Sequence, residues 1–181
     1  MDVAFEPLRS TEDAVNALND LAGAAQRSSQ PRPRLRERYT FDNYIVGPGN
    51  RLAFAAAEGV ARDAGRLYNP LFIYGPAGLG KTHLLHAIGN YVHEHFPGRH
   101  VRYVTTETYM NEFVDAIRNA ATADFKRRYR ECDVLLIDDI QFFAGKERSQ
   151  EEFFHTFNTL LENKHQIILT CDRYPKEIRG L

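Results

Sequence analysis

The chain has 181 residues, of which 43% are hydrophobic and 26% are charged, and this is enough for one globular domain with its own core. The formal net charge of −1 excludes an overall basic character, so any surface that binds nucleic acid must be local. No apolar run reaches the length of a membrane span. The two cysteines, Cys132 and Cys171, are more typical of reduced cytosolic thiols than of a disulfide or a metal site.

The first 38 residues differ in composition from the rest of the chain. Apolar residues between 14 and 21 are spaced for one short amphipathic helix, and residues 26–38 are rich in proline, serine and arginine. The arginines of that stretch could touch a phosphate backbone, although a solvated linker is the more common role. We therefore expect a flexible tail and linker over residues 1–38 and a globular domain over residues 39–181.

From Tyr39 onward, predicted strands and helices alternate. Apolar runs predict strands at residues 71–74, 101–105, 134–137 and 167–169. Periodicity predicts five helices. They run from Asn50 to about Ala64, from the end of the segment 75–82 to about His95, from about Thr108 onward, over about 121–130, and after Ser149. This alternation predicts an α/β fold with a parallel sheet flanked by helices.

Two helix starts carry capping signals. Asn50 can cap the first of these helices, and Ser149 with Glu152 has the spacing of a capping box. The helix after Ser149 is expected to bury one apolar side, made of Phe153, Phe154, Phe157, Leu160 and Leu161.

Residues 75–82, Gly-Pro-Ala-Gly-Leu-Gly-Lys-Thr, fit the phosphate-binding loop pattern G-x-x-x-x-G-K-[ST] at every required position. The loop follows a predicted strand and precedes a predicted helix, as phosphate binding by backbone N–H groups requires. Lys81 would then reach the β- and γ-phosphates, and the Thr82 hydroxyl would bind Mg²⁺. An ordinary glycine-rich turn is the alternative, and the flanking strand and helix make it the weaker one.

An acidic pair, Asp138 and Asp139, follows the apolar run at residues 134–137. Ligands of parallel sheets bind beyond the carboxyl ends of the strands, where the phosphate loop also begins. Asp138 would hold Mg²⁺ through water, and Asp139 would orient or deprotonate an attacking water molecule. We expect the strand at 167–170 to lie between the loop strand and this acidic strand. Asp172 beyond it would sense the γ-phosphate, although a plain turn before Pro175 explains the local chemistry equally well.

Four segments together resemble the bacterial chromosomal replication initiator family, DnaA. They are residues 39–50 (YTFDNYIVGPGN), 68–89 (YNPLFIYGPAGLGKTHLLHAIG), 135–158 (LLIDDIQFFAGKERSQEEFFHTFN) and 167–178 (IILTCDRYPKEI). The resemblance covers nearly everything from Tyr39 to Leu181. It implies a P-loop NTPase fold of the AAA+ type, with ATP or ADP and Mg²⁺ as cofactors.

The resemblance also implies site residues by position. Catalytic roles fall to Lys81, Asp138, Asp139 and Asp172, with Thr82 and Asp138 as the magnesium ligands. Nucleotide binding falls to Ile45, Val46, Asn50, Gly75, Gly78, Gly80, Lys81 and Thr82, the first three of them lining the adenine pocket. Single-stranded DNA would be gripped by Val114, Lys146 and Arg148. The alternatives are a core position for Val114 and a solvated loop for the two cations.

The implied function is ATP-dependent initiation of chromosomal replication, with the nucleotide acting as a switch for assembly. The implied partners are origin DNA, further copies in a filament, the replicative helicase and its loader, and acidic phospholipid. The implied location is the cytoplasm, in association with the nucleoid. A related AAA+ helicase loader, a regulatory paralogue and an inactive fragment remain the alternatives.

The sequence also departs from the family pattern. Against the family pattern, we expect these 181 residues to be without the arginine finger, the last core strand, the lid, the duplex-binding helix-turn-helix and the usual N-terminal partner-binding domain. We therefore expect a partial AAA+ domain, incomplete at the C-terminus, with weak or absent ATP hydrolysis. Cys171 stands where the family usually has serine. Asp139 stands where many AAA+ relatives carry glutamate, and its shorter carboxylate would suit slow hydrolysis.

Overall fold

The computed structural model describes residues 34–174. Its helices are α1 (Arg51–Arg62), α2 (Lys81–His95), α3 (Thr106–Arg118), α4 (Thr122–Arg130) and α5 (Glu147–Glu162). Its strands are β1 (Leu71–Tyr74), β2 (Val101–Thr105), β3 (Val134–Asp138) and β4 (Gln166–Cys171), and a 3-10 turn at Ile140–Phe143 follows β3. The predicted helix near residues 14–21 lies outside the described residues. Within them, no helix is long and apolar enough to cross a bilayer.

The described strands form one parallel sheet in the order β1-β4-β3-β2. The last strand along the chain, β4, is therefore inserted between β1 and the acidic strand β3, as the sequence predicts. In the register, Ile73 lies opposite Thr170, and Thr105 lies opposite Asp138. The carboxyl ends of β1, β4 and β3 consequently meet at one edge of the sheet.

The alternation of side chains along β3 and β4 divides the core between the two faces of the sheet. Leu136 and Ile168 pack with α1 and α2 on one face. Leu135 and Ile167 pack with α3, α4 and α5 on the other. Every residue of β3 and β4 is buried, because helices cover the two strands on both sides.

Buried aromatic rings and ion pairs hold α3, α4 and α5 together. Tyr109 of α3 is fully buried, and its ring contacts Tyr129 of α4 at a centroid distance of 4.7 Å. Arg130 of α4 donates to the carboxylate of Glu152 in α5 over 2.5 Å. These contacts make the three helices one packed layer on the sheet.

The capping predictions need correction. Residue 50 does precede α1, but the Asn50 side chain turns back, accepting from the Gly47 N–H and donating to the Ile45 carbonyl, and makes no cap hydrogen bond. The capping box is wrong, since α5 begins at Glu147, which places Ser149 and Glu152 inside the helix. Glu152 instead pairs with Arg130.

Two further details of the helices differ from the predictions. Phe154 was expected on the buried side of α5, yet it is 45% exposed, so the buried stripe is narrower than the predicted one. Helix α3 begins two residues before Thr108, because the Thr105 side chain accepts a hydrogen bond from the Thr108 N–H and caps the helix there.

Candidate functional site

The glycine-rich loop joins the end of β1 to the start of α2. The Gly75 N–H donates to the Cys171 carbonyl over 3.2 Å, so the loop leaves the sheet beside the end of β4. Gly78 and Gly80 have φ angles of 86° and 83°, in the left-handed region that favours glycine. A Cβ atom at Gly80 would lie 2.7 Å from the Tyr44 ring, so glycine is required there for space as well as for conformation.

The N-terminus of α2 opens directly from this loop. The helix has Gly80 at its N-cap and no side-chain cap hydrogen bond, which leaves its first backbone N–H groups available to an anion. The Lys81 ammonium folds over the loop, donating to the Gly75 carbonyl over 2.7 Å and to the Pro76 carbonyl over 3.0 Å. The loop therefore presents N–H groups, a helix dipole and one cation to the same place, which is the chemistry of phosphate binding.

Asp138 lies at the end of β3 on the face of the sheet that α2 covers, and only 3% of its surface is exposed. Both of its carboxylate oxygens accept hydrogen bonds: Oδ1 from the Thr170 hydroxyl, and Oδ2 from the Tyr103 phenol over 3.3 Å. The Thr106 hydroxyl donates to the Asp138 backbone carbonyl over 3.1 Å. The carboxylate is thus held in one orientation at the edge where the phosphate loop begins.

Asp139 adopts a left-handed backbone conformation, with φ 61° and ψ 52°. Such a conformation is uncommon outside glycine, and strain of this kind concentrates at functional sites. The Asp139 N–H donates to the Thr170 hydroxyl over 2.9 Å, and its carboxylate accepts from the Gln141 amide over 3.1 Å. Thr170 therefore connects to both members of the acidic pair.

Asp172, the predicted sensor, is half-buried one residue beyond β4. Its N–H donates to the Gln141 side chain over 3.3 Å, and its carboxylate accepts from Arg173 over 3.0 Å. Gln141 consequently bridges the backbone of Asp172 and the carboxylate of Asp139. Sequence reasoning assigned no role to Gln141 or Tyr103, and it named Thr170 only as the end of a strand.

The donor set at this edge suits Mg²⁺. Thr82 supplies a hydroxyl and Asp138 a carboxylate, which are the hard oxygen ligands that this cation takes alongside phosphate oxygens. The main evidence for this fit is the buried Asp138 carboxylate, whose two oxygens are held in one orientation. Burying a carboxylate charge costs free energy unless a cation or hydrogen-bond donors compensate for it.

The segment at residues 39–50 runs beside the loop. The Tyr44 hydroxyl donates to the Leu79 carbonyl over 3.1 Å, and the His83 ring donates through Nε2 to the Thr40 carbonyl over 2.8 Å. Of the three predicted adenine-pocket residues, Ile45 is 88% exposed and Val46 is 45% exposed. The third, Asn50, stabilises the turn at residues 45–50 through side-chain hydrogen bonds to the backbone of Ile45 and Gly47. Two apolar side chains are thus open to solvent next to the phosphate loop.

Comparisons with known proteins identify the family of the chain. The model of the bacterial DnaA ATPase domain matches residues 35–181. The chain belongs to the family of bacterial DnaA ATPase domains. Chromosomal replication initiator protein DnaA of Deinococcus deserti is 52% identical over 187 residues, covering 99% of this chain and 41% of that protein. The chain therefore spans less than half the length of this relative.

Solved DnaA structures show the same fold. Domain III of the Thermotoga maritima replication initiation protein DnaA superposes with a TM-score of 0.79 at 48% identity, covering 84% of this chain and 62% of that one. A replication initiator DnaA bound to AMPPCP and single-stranded DNA has a TM-score of 0.79 at 44% identity, covering 82% and 46%. The sheet order, the flanking helices and the family confirm the predicted AAA+ fold.

The three residues predicted to contact DNA are all exposed to solvent on elements away from the phosphate loop. Val114 is 40% exposed on α3, so the alternative of a core position does not hold. Lys146 and Arg148 are exposed at the start of α5, and neither forms an ion pair within residues 34–174. The four cations of α4 are all paired with carboxylates: Lys126 and Arg130 with Glu152, Arg127 with Asp124, and Arg128 with Glu112.

His86 lies one turn beyond Thr82 on α2 and is buried. Its Nδ1 accepts from the Arg36 N–H over 3.3 Å, and its ring lies 4.2 Å from the Tyr103 ring, centroid to centroid. Burial, with smaller effects from the charges of Arg36 and His83, lowers the pKa of His86 to about 4. The imidazole is therefore neutral in the folded domain near pH 7.

We expect His86 to make the fold sensitive to acid. Folding lowers the pKa of His86 from 6.5 to about 4. Between these two pH values, the unfolded chain therefore binds a proton at His86 and the folded chain does not. The stabilisation by neutral His86 is complete above that range and is lost as pH falls through it. Between pH 7 and pH 5 the free energy of unfolding of the wild type should therefore fall by about 1 kcal/mol more than that of His86→Gln. This figure is smaller than the full pKa shift would give, because solvent near the ring screens the charge.

Urea unfolding of both proteins at the two pH values measures this difference. Other titrating groups contribute equally to both chains and cancel. An identical pH dependence in the wild type and in His86→Gln would contradict the assignment.

Proposed function

We propose that this chain is the nucleotide-binding part of an ATP-dependent initiator of chromosomal replication. The observation that carries the proposal is the convergence of a phosphate-binding loop and an oriented, buried Asp138 at one edge of the sheet, on either side of β4. Family membership favours the initiator over a helicase loader or a regulatory paralogue.

In this proposal the loop binds the phosphates of an adenine nucleotide. Gly75 begins the loop that wraps the phosphates, the backbone N–H groups at Gly78 and Gly80 and the N-terminus of α2 hold the phosphate oxygens, and Lys81 moves from the loop carbonyls to the β- and γ-phosphates. Ile45, Val46 and Asn50 line the adenine pocket. A DnaA relative was solved with AMPPCP bound, which supports binding of an adenine nucleotide.

Thr82 and Asp138 hold Mg²⁺ in the proposed site. The bound cation would neutralise charge on the phosphates. Asp139 orients or deprotonates the attacking water, with its carboxylate steadied by Gln141. Asp172 senses the γ-phosphate from the end of β4. The short Asp139 side chain suits slow hydrolysis, as a switch requires.

The proposed DNA contacts lie on the opposite side of the sheet from α2. Val114 offers an exposed apolar surface on which bases can stack, and Lys146 and Arg148 offer phosphates two exposed charges that form no ion pair within residues 34–174. The relative solved with single-stranded DNA supports this role. Three local groups are enough for such a contact, so the net charge of −1 is no obstacle.

Other elements of the proposal concern the full-length protein. They are opening of origin DNA, ATP-dependent assembly into a filament, contact with the replicative helicase and its loader, contact with acidic phospholipid, and a cytoplasmic, nucleoid-associated location. Hydrolysis of ATP by the full-length protein would reverse the assembly.

The nucleotide site is tested by Lys81→Ala. Loss of the charge-assisted hydrogen bonds to phosphate should weaken ATP binding by about 10- to 100-fold, measured by titration with labelled ATP. Lys126→Ala is the matched control, because it removes a lysine on the opposite face of the sheet. ATP binding by Lys81→Ala with wild-type affinity would contradict the assignment.

The DNA surface is tested by the double variant Lys146→Ala with Arg148→Ala. Losing two phosphate contacts should weaken binding of labelled oligo-dT and reduce the slope of log affinity against log salt by about 1.4. Fluorescence anisotropy over a range of salt concentrations measures both quantities.

The matched control is Arg62→Ala with Arg66→Ala, which removes two exposed arginines, one at the end of α1 and one just beyond it, on the other face of the sheet. This control should bind as the wild type does. Equal losses in the two double variants would show a general charge effect and would contradict the proposed surface.

A further inference from the structure

Tyr103 reaches the acidic strand from its neighbour. It lies in β2 opposite Leu136, and Asp138 is two residues further along β3 on the same face of the sheet. The ring leans toward the carboxyl end of the strands, where its hydroxyl donates to Asp138 Oδ2 over 3.3 Å. Through this hydrogen bond, Tyr103 can fix the orientation of the Asp138 carboxylate without itself touching a nucleotide.

The direction of each hydrogen bond at Asp138 is fixed. Tyrosine carries its phenolic proton near pH 7 and an ionised carboxylate oxygen can only accept, so the Tyr103 hydroxyl donates to Asp138. The Thr170 hydroxyl accepts from the Asp139 N–H, so its own proton is free to go to Asp138 Oδ1. Each oxygen of the carboxylate therefore has one hydrogen-bond donor among the described residues, and each oxygen keeps a further lone pair that a cation could use.

The Tyr103 ring is itself held by α2. The neutral His86 ring lies against it at 4.2 Å, and His86 is fixed in turn by the Arg36 N–H. His86 and Thr82 are four residues apart and share one side of α2. The helix that carries one proposed magnesium ligand thus also supports the tyrosine that orients the other.

We propose that Tyr103 is a positioning residue that sets the Asp138 carboxylate for a divalent cation, with His86 supporting its ring. This inference rests on the proposed function, because it concerns the same nucleotide and Mg²⁺ site. Hydrogen-bond partners behind a metal ligand commonly affect metal affinity by 10- to 100-fold.

The test is Tyr103→Phe, which keeps the ring and its contact with His86 and removes only the hydroxyl. With ADP and Mg²⁺ as probes, the dissociation constant for Mg²⁺ at saturating ADP should rise about 10-fold. ADP affinity in EDTA should stay within about twofold of the wild type, because the phosphate loop is untouched. A purely structural role would change both quantities together.

Tyr129→Phe is the matched control. Its phenol also donates to a carboxylate, that of Glu112 over 2.8 Å, but it lies in the layer of α3, α4 and α5. Both affinities should be unchanged in this variant.

The outcomes separate the inference from the proposed function. Equal Mg²⁺ affinities in the wild type and Tyr103→Phe would overturn the inference alone, as would an equal loss of ADP affinity in EDTA. Failure of the wild-type chain to bind ADP would overturn the proposed function, and this inference with it.

Discussion

The site depends on the position of β4 between β1 and β3. This insertion brings the Thr170 hydroxyl between the backbone of Asp139 and the carboxylate of Asp138, and it brings the start of the phosphate loop against Cys171. A sheet with β1 directly beside β3 would have neither contact. The burial of Asp138 is acceptable only because hydroxyl donors satisfy its charge, so the fold and the site are specified by the same hydrogen bonds.

Helix α2 connects the surface of the domain to this buried centre. Its first turn faces the loop, its next turn contacts Tyr103 through His86, and Asn90 donates to the carbonyls of Arg36 and Tyr39. The segment that enters the domain is therefore docked on the helix that shapes the site. Tyr44 extends the same contact to the Leu79 carbonyl within the loop.

Features with a strong local or periodic signal could be predicted from the sequence. The four strands, the phosphate loop and the acidic pair are each contiguous in the chain, and the insertion of β4 follows from their order. The partners of Asp138 could not be predicted, because Tyr103 and Thr170 are 35 and 32 residues away and are brought there only by the register. The capping box failed because α5 begins at Glu147, two residues before Ser149, and the Glu152 carboxylate pairs instead with Arg130 of another helix, a partner that no local pattern records.

A crystal structure of this chain with a non-hydrolysable ATP analogue and Mg²⁺ tests the central claim most directly. We expect the phosphates to lie against the backbone N–H groups of residues 78–82. The cation should lie between the Thr82 hydroxyl and Asp138, at the end of β3. Phosphates bound elsewhere, or a cation held without the participation of Asp138, would contradict the convergence of loop and acidic strand as the basis of the site.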